Sequence, residues 1–301
     1  MCHTGLWRRL KDEGFVINVI IEKRNHDLFS QLTCIDEIYT VDVENIAQLP
    51  KIETDLVICL YSWMKRKELL ETALLSRINY HHALSVGGWL KRPYNKIFPL
   101  PSSFHITTLQ KAVLDFFGYP TDNLKYALTA KKPAGDYIDN YLKDYPDKKI
   151  IILNPFASVV ARSMTEEQVI EILSGLSGEV DCHFFLTGHS KDLAKLNIDM
   201  KNNSLCLFDS LWHTIALIER ADLVISVDTS VVHIASAFDK KLVAIFYSEN
   251  IDYDSKLQGN IVFAPNTNNA KQIIFNHSDR LFEADYVVKE TLSMLATVKN
   301  K

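Results

Sequence analysis

The sequence is poor in glycine, with ten in 301 residues, and none of them forms a phosphate-binding motif. Neither G-x-G-x-x-G nor G-x-x-x-x-G-K-[S/T] occurs, which excludes the dinucleotide fingerprint and the P-loop. Any bound phosphate needs another device. H-E-x-x-H and G-x-S-x-G are also absent, removing the common zinc-protease and hydrolase signatures. The five cysteines, Cys2, Cys34, Cys59, Cys182 and Cys206, are isolated and odd in number. No C-x-x-C pairs them, so the spacing suits neither zinc nor a disulfide framework, and no metal is expected. No apolar run reaches the roughly 18 residues of a membrane-spanning helix. Residues 1–14 lack the apolar core and cleavage site of a secretory signal, so the expected location is the cytoplasm. The sequons at Asn202 and Asn276 are read as chance matches.

Excess positive charge is lacking too. Lys plus Arg number 33 against 37 Asp plus Glu, a net charge of −4, whereas a nucleic-acid partner calls for a basic stripe. What is present is ordinary for a folded protein: 47% hydrophobic and 23% charged residues. The length suits about two domains.

Short runs rich in Val, Ile and Phe alternate with longer helical patterns. Strands are expected at 15–21, 37–41, 55–61, 149–154, 182–187, 204–208, 222–227, 241–247 and 260–264. Helices are expected at 4–13, 63–76, 107–117, 165–174, 210–220, 230–238 and 283–298. Continuous apolar strands separated by amphipathic helices imply parallel sheets covered on both faces, an α/β protein. A polar stretch, 118–149, holds Pro120, Pro133, Gly135 and Pro146, with one short helix expected near 137–143. It marks the boundary between a first domain, 1–148 including this linker, and a second, 149–301. Two such domains facing each other across a cleft would take ligands at the carboxyl ends of their strands. One feature is odd: the helix at 4–13 has no strand before it, although a parallel sheet normally supplies one.

Three strand-ending loops carry candidate chemistry, all on one rim of the second domain. Asp228, Thr229 and Ser230 lead from a buried strand into a helix. A hydroxyl cap, the unbonded first-turn amides and the helix dipole there suit a diphosphate, and His233 lies one turn further on. The loop after strand 149–154 holds Asn154, Ser158 and Arg162, whose guanidinium could grip a phosphate with paired donors. The third loop has Thr187, Gly188 and His189; its glycine permits close backbone approach or simply makes the turn.

Asn154-Pro155-Phe156-Ala157-Ser158 with Arg162-Ser163-Met164, then Leu186-Thr187-Gly188, then Asp228-Thr229-Ser230-Val231-Val232-His233-Ile234-Ala235 resemble the bacterial heptosyltransferases of glycosyltransferase family nine. The third segment is the most specific, matching Asp-Thr-(Gly/Ser)-x-x-His-x-Ala at a strand–helix junction. The resemblance implies a GT-B fold of two Rossmann-like domains. It implies ADP-heptose as donor, bound by the second domain, and a lipopolysaccharide core or lipid A precursor as acceptor, held by the first. By the same resemblance Asp228, Thr229, Ser230 and His233 line the diphosphate and sugar. Asn154, Ser158, Thr187 and Gly188 belong to the donor site, and Arg162 faces the leaving diphosphate where the family usually has lysine. Met164 stands where an aromatic residue is common. Transfer with inversion and without a metal or other cofactor is implied.

In the family the first strand ends in Gly-Asp, and that Asp is the expected base. The residues that follow it resemble Met1-Cys2-His3-Thr4, so the chain is expected to begin just after the base. The base is thus unassigned, with His3 nearby on a terminus expected to fray. Two other readings stay open: a GT-B transferase with a different donor or acceptor, and a truncated, catalytically weak nucleotide-binding homologue. Lipid-anchored acceptors suggest peripheral contact at the cytoplasmic face of the inner membrane. Trp89-Leu90-Lys91-Arg92 is an aromatic–basic stretch suited to that contact, or a plain exposed loop.

Overall fold

A computed structural model describes residues 1–62, 64–91, 93–208, 210–247, 258–275 and 283–296. The chain divides into two compact units, one of residues 2–124 with 258–262, the other of residues 125–247, 263–275 and 283–296.

The first unit opens on α1 (Thr4–Asp12), whose Leu6 and Leu10 are buried. There follow β1 (Asn18–Glu22), the single turn α2 (His26–Phe29), β2 (Glu37–Val41), β3 (Ile52–Cys59), α3 (Lys65–Leu75), β4 (Ile78–Val86), β5 (Lys96–Phe98) and α4 (Ile106–Phe116). The strands form two parallel sheets, β1-β2 and β3-β4-β5. Among the described residues β1 and β3 do not pair with each other, so this unit has two short sheets where a doubly wound half has one. Val41, Ile52 and Ile78 pack together beneath them.

The second unit begins with α5 (Lys132–Tyr141), which carries Pro133 in its first turn, where a missing amide costs no intrahelical bond. It continues with β6 (Lys149–Asn154), α6 (Glu166–Ser177), β7 (Cys182–Leu186), the turn α7 (Ser190–Leu193), β8 (Asn203–Leu205), α8 (Leu211–Arg220), β9 (Leu223–Val227), α9 (Ser230–Ala237) and β10 (Lys241–Tyr247). The turn α10 (Gly259–Val262) belongs to the first unit. β11 (Ala270–Phe275) and α11 (Ala284–Ala296) complete the second. Its six strands are all parallel, in the order β11-β10-β9-β6-β7-β8. This is the doubly wound order, and it reverses between β6 and β9.

Both faces of that sheet are covered, which is why its strands read as unbroken apolar runs. Ile151, Leu153, Phe184, Leu186, Ile225 and Ile245 pack against α6 and α11. On the opposite face Phe185 meets Tyr141 of α5, and α5 is tied to α8 by an Arg220–Asp139 ion pair of 2.6 Å.

Three strands escape the sequence pattern: β4, β5 and β11. The strand expected at 260–264 is instead the helical turn α10; a short apolar run has no periodicity to tell strand from helix. Residues 63, 92 and 276 lie outside the described residues, as do the ends of the expected helices at 63–76 and 283–298. No helix among the described residues is long and apolar enough to cross a membrane.

Candidate active site

The site is built at the carboxyl ends of β6 and β9, on either side of the point where strand order reverses. Parallel pairing sets Asn154, the last residue of β6, beside Ser226 of β9. Asn154 is 3% exposed, and burying an amide requires partners. Its Nδ2 donates to Ser226 Oγ at 3.2 Å and to Thr229 Oγ1 at 2.9 Å. Ser226 donates in turn to the Val227 carbonyl at 2.8 Å. Thr229 Oγ1 also accepts from the Val231 amide at 3.2 Å, capping α9. One amide side chain therefore locks strand end, turn and helix start together.

Arg162 lies in the single helical turn Val160–Arg162. The loop carrying it is closed at its base: the Met164 amide donates to the Pro155 carbonyl, and the Ala157 amide to Ser163 Oγ, both at 2.9 Å. Met164 itself is buried in the core. Arg162 Nη1 donates to Asp228 Oδ2 at 2.8 Å, with the two side chains only 16% and 12% exposed. This ion pair joins the loop after β6 to the turn after β9.

The remaining predicted residues sit around this centre. Thr187 follows β7, its amide bonded to the Leu153 carbonyl at 2.9 Å. Its buried hydroxyl has no hydrogen-bond partner among the described residues. Gly188 has φ +157°, a backbone conformation that side chains disfavour. Ser158 and Ser230 are exposed and outside the Asn154–Thr229 network. His233 is buried one turn into α9, edge-on to Tyr126 at 5.6 Å and to Phe263 at 6.1 Å between ring centroids. The structure thus brings Asn154, Arg162, Asp228 and Thr229 together by direct bonds. Ser226 is the member that sequence reasoning missed, since a serine inside an apolar strand carries no signal until the sheet register places it.

His3 corrects an expectation. It is no frayed end but 4% exposed, and burial pushes its pKa down to about 3, leaving a neutral imidazole. Among the described residues no three His, Cys, Asp or Glu side chains gather as a metal site would require.

A cation paired with a carboxylate, hydroxyls, and the amino end of a helix together suit an anionic diphosphate at the carboxyl edge of a doubly wound sheet. The sequence model of glycosyltransferase family 9 (heptosyltransferase) matches residues 76–280, and every residue of this site falls inside that span. The chain belongs to glycosyltransferase family 9.

This family 9 chain is 25% identical over 287 residues to the Escherichia coli K12 protein named "Putative lipopolysaccharide heptosyltransferase 4", covering 90% of this chain and 76% of that one. Its fold is similar to Escherichia coli ADP-heptose lipopolysaccharide heptosyltransferase II, with a TM-score of 0.70 and 15% identity over 98% of this chain and 94% of the other. It is also similar to Escherichia coli heptosyltransferase WaaC with ADP, with a TM-score of 0.73 and 14% identity over 98% and 96%. The fold is GT-B, as the resemblance implied, and the chain is a heptosyltransferase-type glycosyltransferase.

Proposed function

We propose that this glycosyltransferase moves a heptose from ADP-heptose to a lipopolysaccharide core acceptor, with inversion and without a metal, residues 149–301 taking the donor and residues 1–148 the acceptor. The observation that carries the reading is the Arg162–Asp228 pair set against the Thr229-capped start of α9. Breaking the sugar–phosphate bond leaves negative charge on the departing ADP. Positive charge or oriented amides must receive it; Arg162 and the first turn of α9 supply both. Asp228 holds the guanidinium in place before the donor arrives, so little reorganisation is needed when charge develops. Asn154 and Ser226 keep the turn rigid. Thr187, with its open hydroxyl, Gly188, Ser158, Ser230 and His233 complete the nucleotide and sugar contacts.

The names of the relatives favour ADP-heptose over other nucleotide sugars. Met164 replaces the usual aromatic residue from within the core, so that change leaves the donor side of the loop untouched. A transfer assay with ADP-heptose, UDP-sugars and GDP-sugars against a lipopolysaccharide core acceptor tests the reading. Turnover of ADP-heptose alone supports it. Turnover of another donor keeps the transferase and discards the heptose. Nucleotide binding without any turnover makes the chain a non-catalytic homologue.

A further inference from the structure

The first unit leaves two large apolar side chains in water. Trp89, in the loop after β4, is 64% exposed, and Leu69, on α3, is 61% exposed. Neither stands on a loose segment. Glu68, fully buried beside Leu69 on α3, accepts through Oε1 from the Trp89 and Leu90 amides, both at 2.8 Å. Gly88 lets the loop settle there, since a Cβ on it would stand 2.7 Å from that oxygen and 2.8 Å from Ser85 Oγ. Glu71, one turn further along α3, holds the loop after β3 in the same way. Its Oε1 accepts from the Tyr61 amide at 3.0 Å and its Oε2 from Ser62 Oγ at 2.6 Å, and Tyr61 is 39% exposed. Two acids of one helix thus tie down both loops. Apolar residues are spread around α3 rather than gathered on its buried side, which is how a leucine comes to face water.

Cations accompany these side chains, in a chain whose net charge is −4. α3 opens on Lys65-Arg66-Lys67, and Trp89 is followed by Leu90-Lys91-Arg92. Three cations in a first turn oppose the helix dipole, which favours negative charge at the amino end. An anion seated there offsets that cost. Lys91 is exposed. Lys67 reaches Glu22, at the end of β1, at 3.3 Å, and so links α3 to the exposed Lys23 and Arg24 that follow β1. The acids on this rim do not cancel the charge. Glu68 is buried and committed to two amides, Glu22 is shared between Arg24 and Lys67, and burial raises the pKa of Glu71 to about 7.

We propose that this face of the first unit docks on an anionic lipid bilayer, with Trp89 and Leu69 entering the interface while Lys91, Lys67 and the amino end of α3 meet headgroup phosphates. An indole is amphipathic and favours the boundary between headgroups and acyl chains. Lysine stems lie along apolar surface with their charge in water. Buried apolar area and attraction to anionic lipid are the two forces that hold a peripheral protein. A second copy of the chain fits this face poorly, because a two-fold pair sets each cation against its own kind. Docking of this kind does not depend on which sugar is transferred, and a lipid-anchored acceptor would be met on the surface where it resides.

The test is sedimentation of the full chain with vesicles of phosphatidylcholine alone and of equimolar phosphatidylcholine and phosphatidylglycerol, with neither donor nor acceptor present. Wild type should favour the anionic vesicles, and added salt should release it. One basic residue near such a surface is worth about fivefold in partition, so Lys91→Glu, which removes a positive charge and adds a negative one, should lower it about 25-fold. Trp89→Ala and Leu69→Gln should each lower it about tenfold. All three positions are exposed, so the variants should melt as wild type does and keep its ADP affinity. Brominated acyl chains should quench tryptophan emission in wild type and not in Trp89→Ala. Wild type that sediments equally with both vesicles, or with neither, overturns the proposal, as do three variants that partition like wild type. Quenching that survives Trp89→Ala overturns it too. A chain that docks but transfers no heptose refutes the transfer reading alone, and one that transfers heptose without docking refutes this surface alone.

Discussion

Removing the guanidinium at Arg162 should weaken nucleoside diphosphate binding in a way that a second substitution partly repairs. In Arg162→Ala the 2.8 Å bond to Asp228 is lost, leaving a carboxylate that is only 12% exposed at the place where a diphosphate must settle. Losing one hydrogen bond to a charged group costs about 1.5–3 kcal/mol. Repulsion between the Asp228 carboxylate and a phosphate oxygen some 4 Å away adds about 1 kcal/mol in water and about 4 kcal/mol at an effective dielectric of 20. Taken at their lower ends these sum to roughly 2.5 kcal/mol, or a fall in ADP affinity of about 60-fold. Asp228→Asn removes the repelling charge. In the Arg162→Ala background it should therefore recover part of the loss, by about 1 kcal/mol or more. Calorimetric titration of ADP into wild type, both single variants and the double variant gives the full cycle. Wild-type affinity in Arg162→Ala would show that the guanidinium never meets the diphosphate. A double variant weaker than Arg162→Ala would show that Asp228 contributes something other than a countercharge.

Asn154→Ala removes the two hydrogen bonds that its amide donates to Ser226 and Thr229 and should cost about 1–3 kcal/mol of unfolding free energy, read by urea titration, with ADP binding weakened as the turn loosens. Thr229→Ala removes the cap of α9 and should cost about 1 kcal/mol. The buried titrating groups of the first unit give opposite signs. Glu71, raised from 4.5 to about 7, is more protonated when folded, so its contribution is full below pH 4.5 and is lost as pH rises to about 7; Glu71→Gln should flatten that slope. His3, lowered from 6.5 to about 3, contributes above pH 6.5 and loses that contribution as pH falls toward 3. His3→Phe should thus blunt acid destabilisation. Thermal melts of the two variants across pH 3 to 8 separate these effects, and parallel curves for wild type and both variants would contradict the burial of either group.

The second unit was largely legible because its strands are buried on both faces. Ile150 to Leu153, Phe184 to Leu186 and Leu223 to Val227 leave no ambiguity between strand and surface. The polar residues ending those runs, Asn154, Thr187 and Asp228, then mark the rim. β11 escaped because it lies at the sheet edge, where Lys271 and Gln272 interrupt the apolar pattern. β4 escaped for a like reason, its middle reading Asn79-Tyr80-His81-His82. Ser226 was illegible because a serine in a strand is read as incidental, and only register with Asn154 identifies it.

A crystal structure with ADP bound tests the central claim most directly. The account predicts the diphosphate at the carboxyl ends of β6 and β9, with phosphate oxygens within about 3 Å of the Arg162 guanidinium and of the first-turn amides of α9. ADP bound elsewhere, or a diphosphate that leaves Arg162 and α9 untouched, would contradict it.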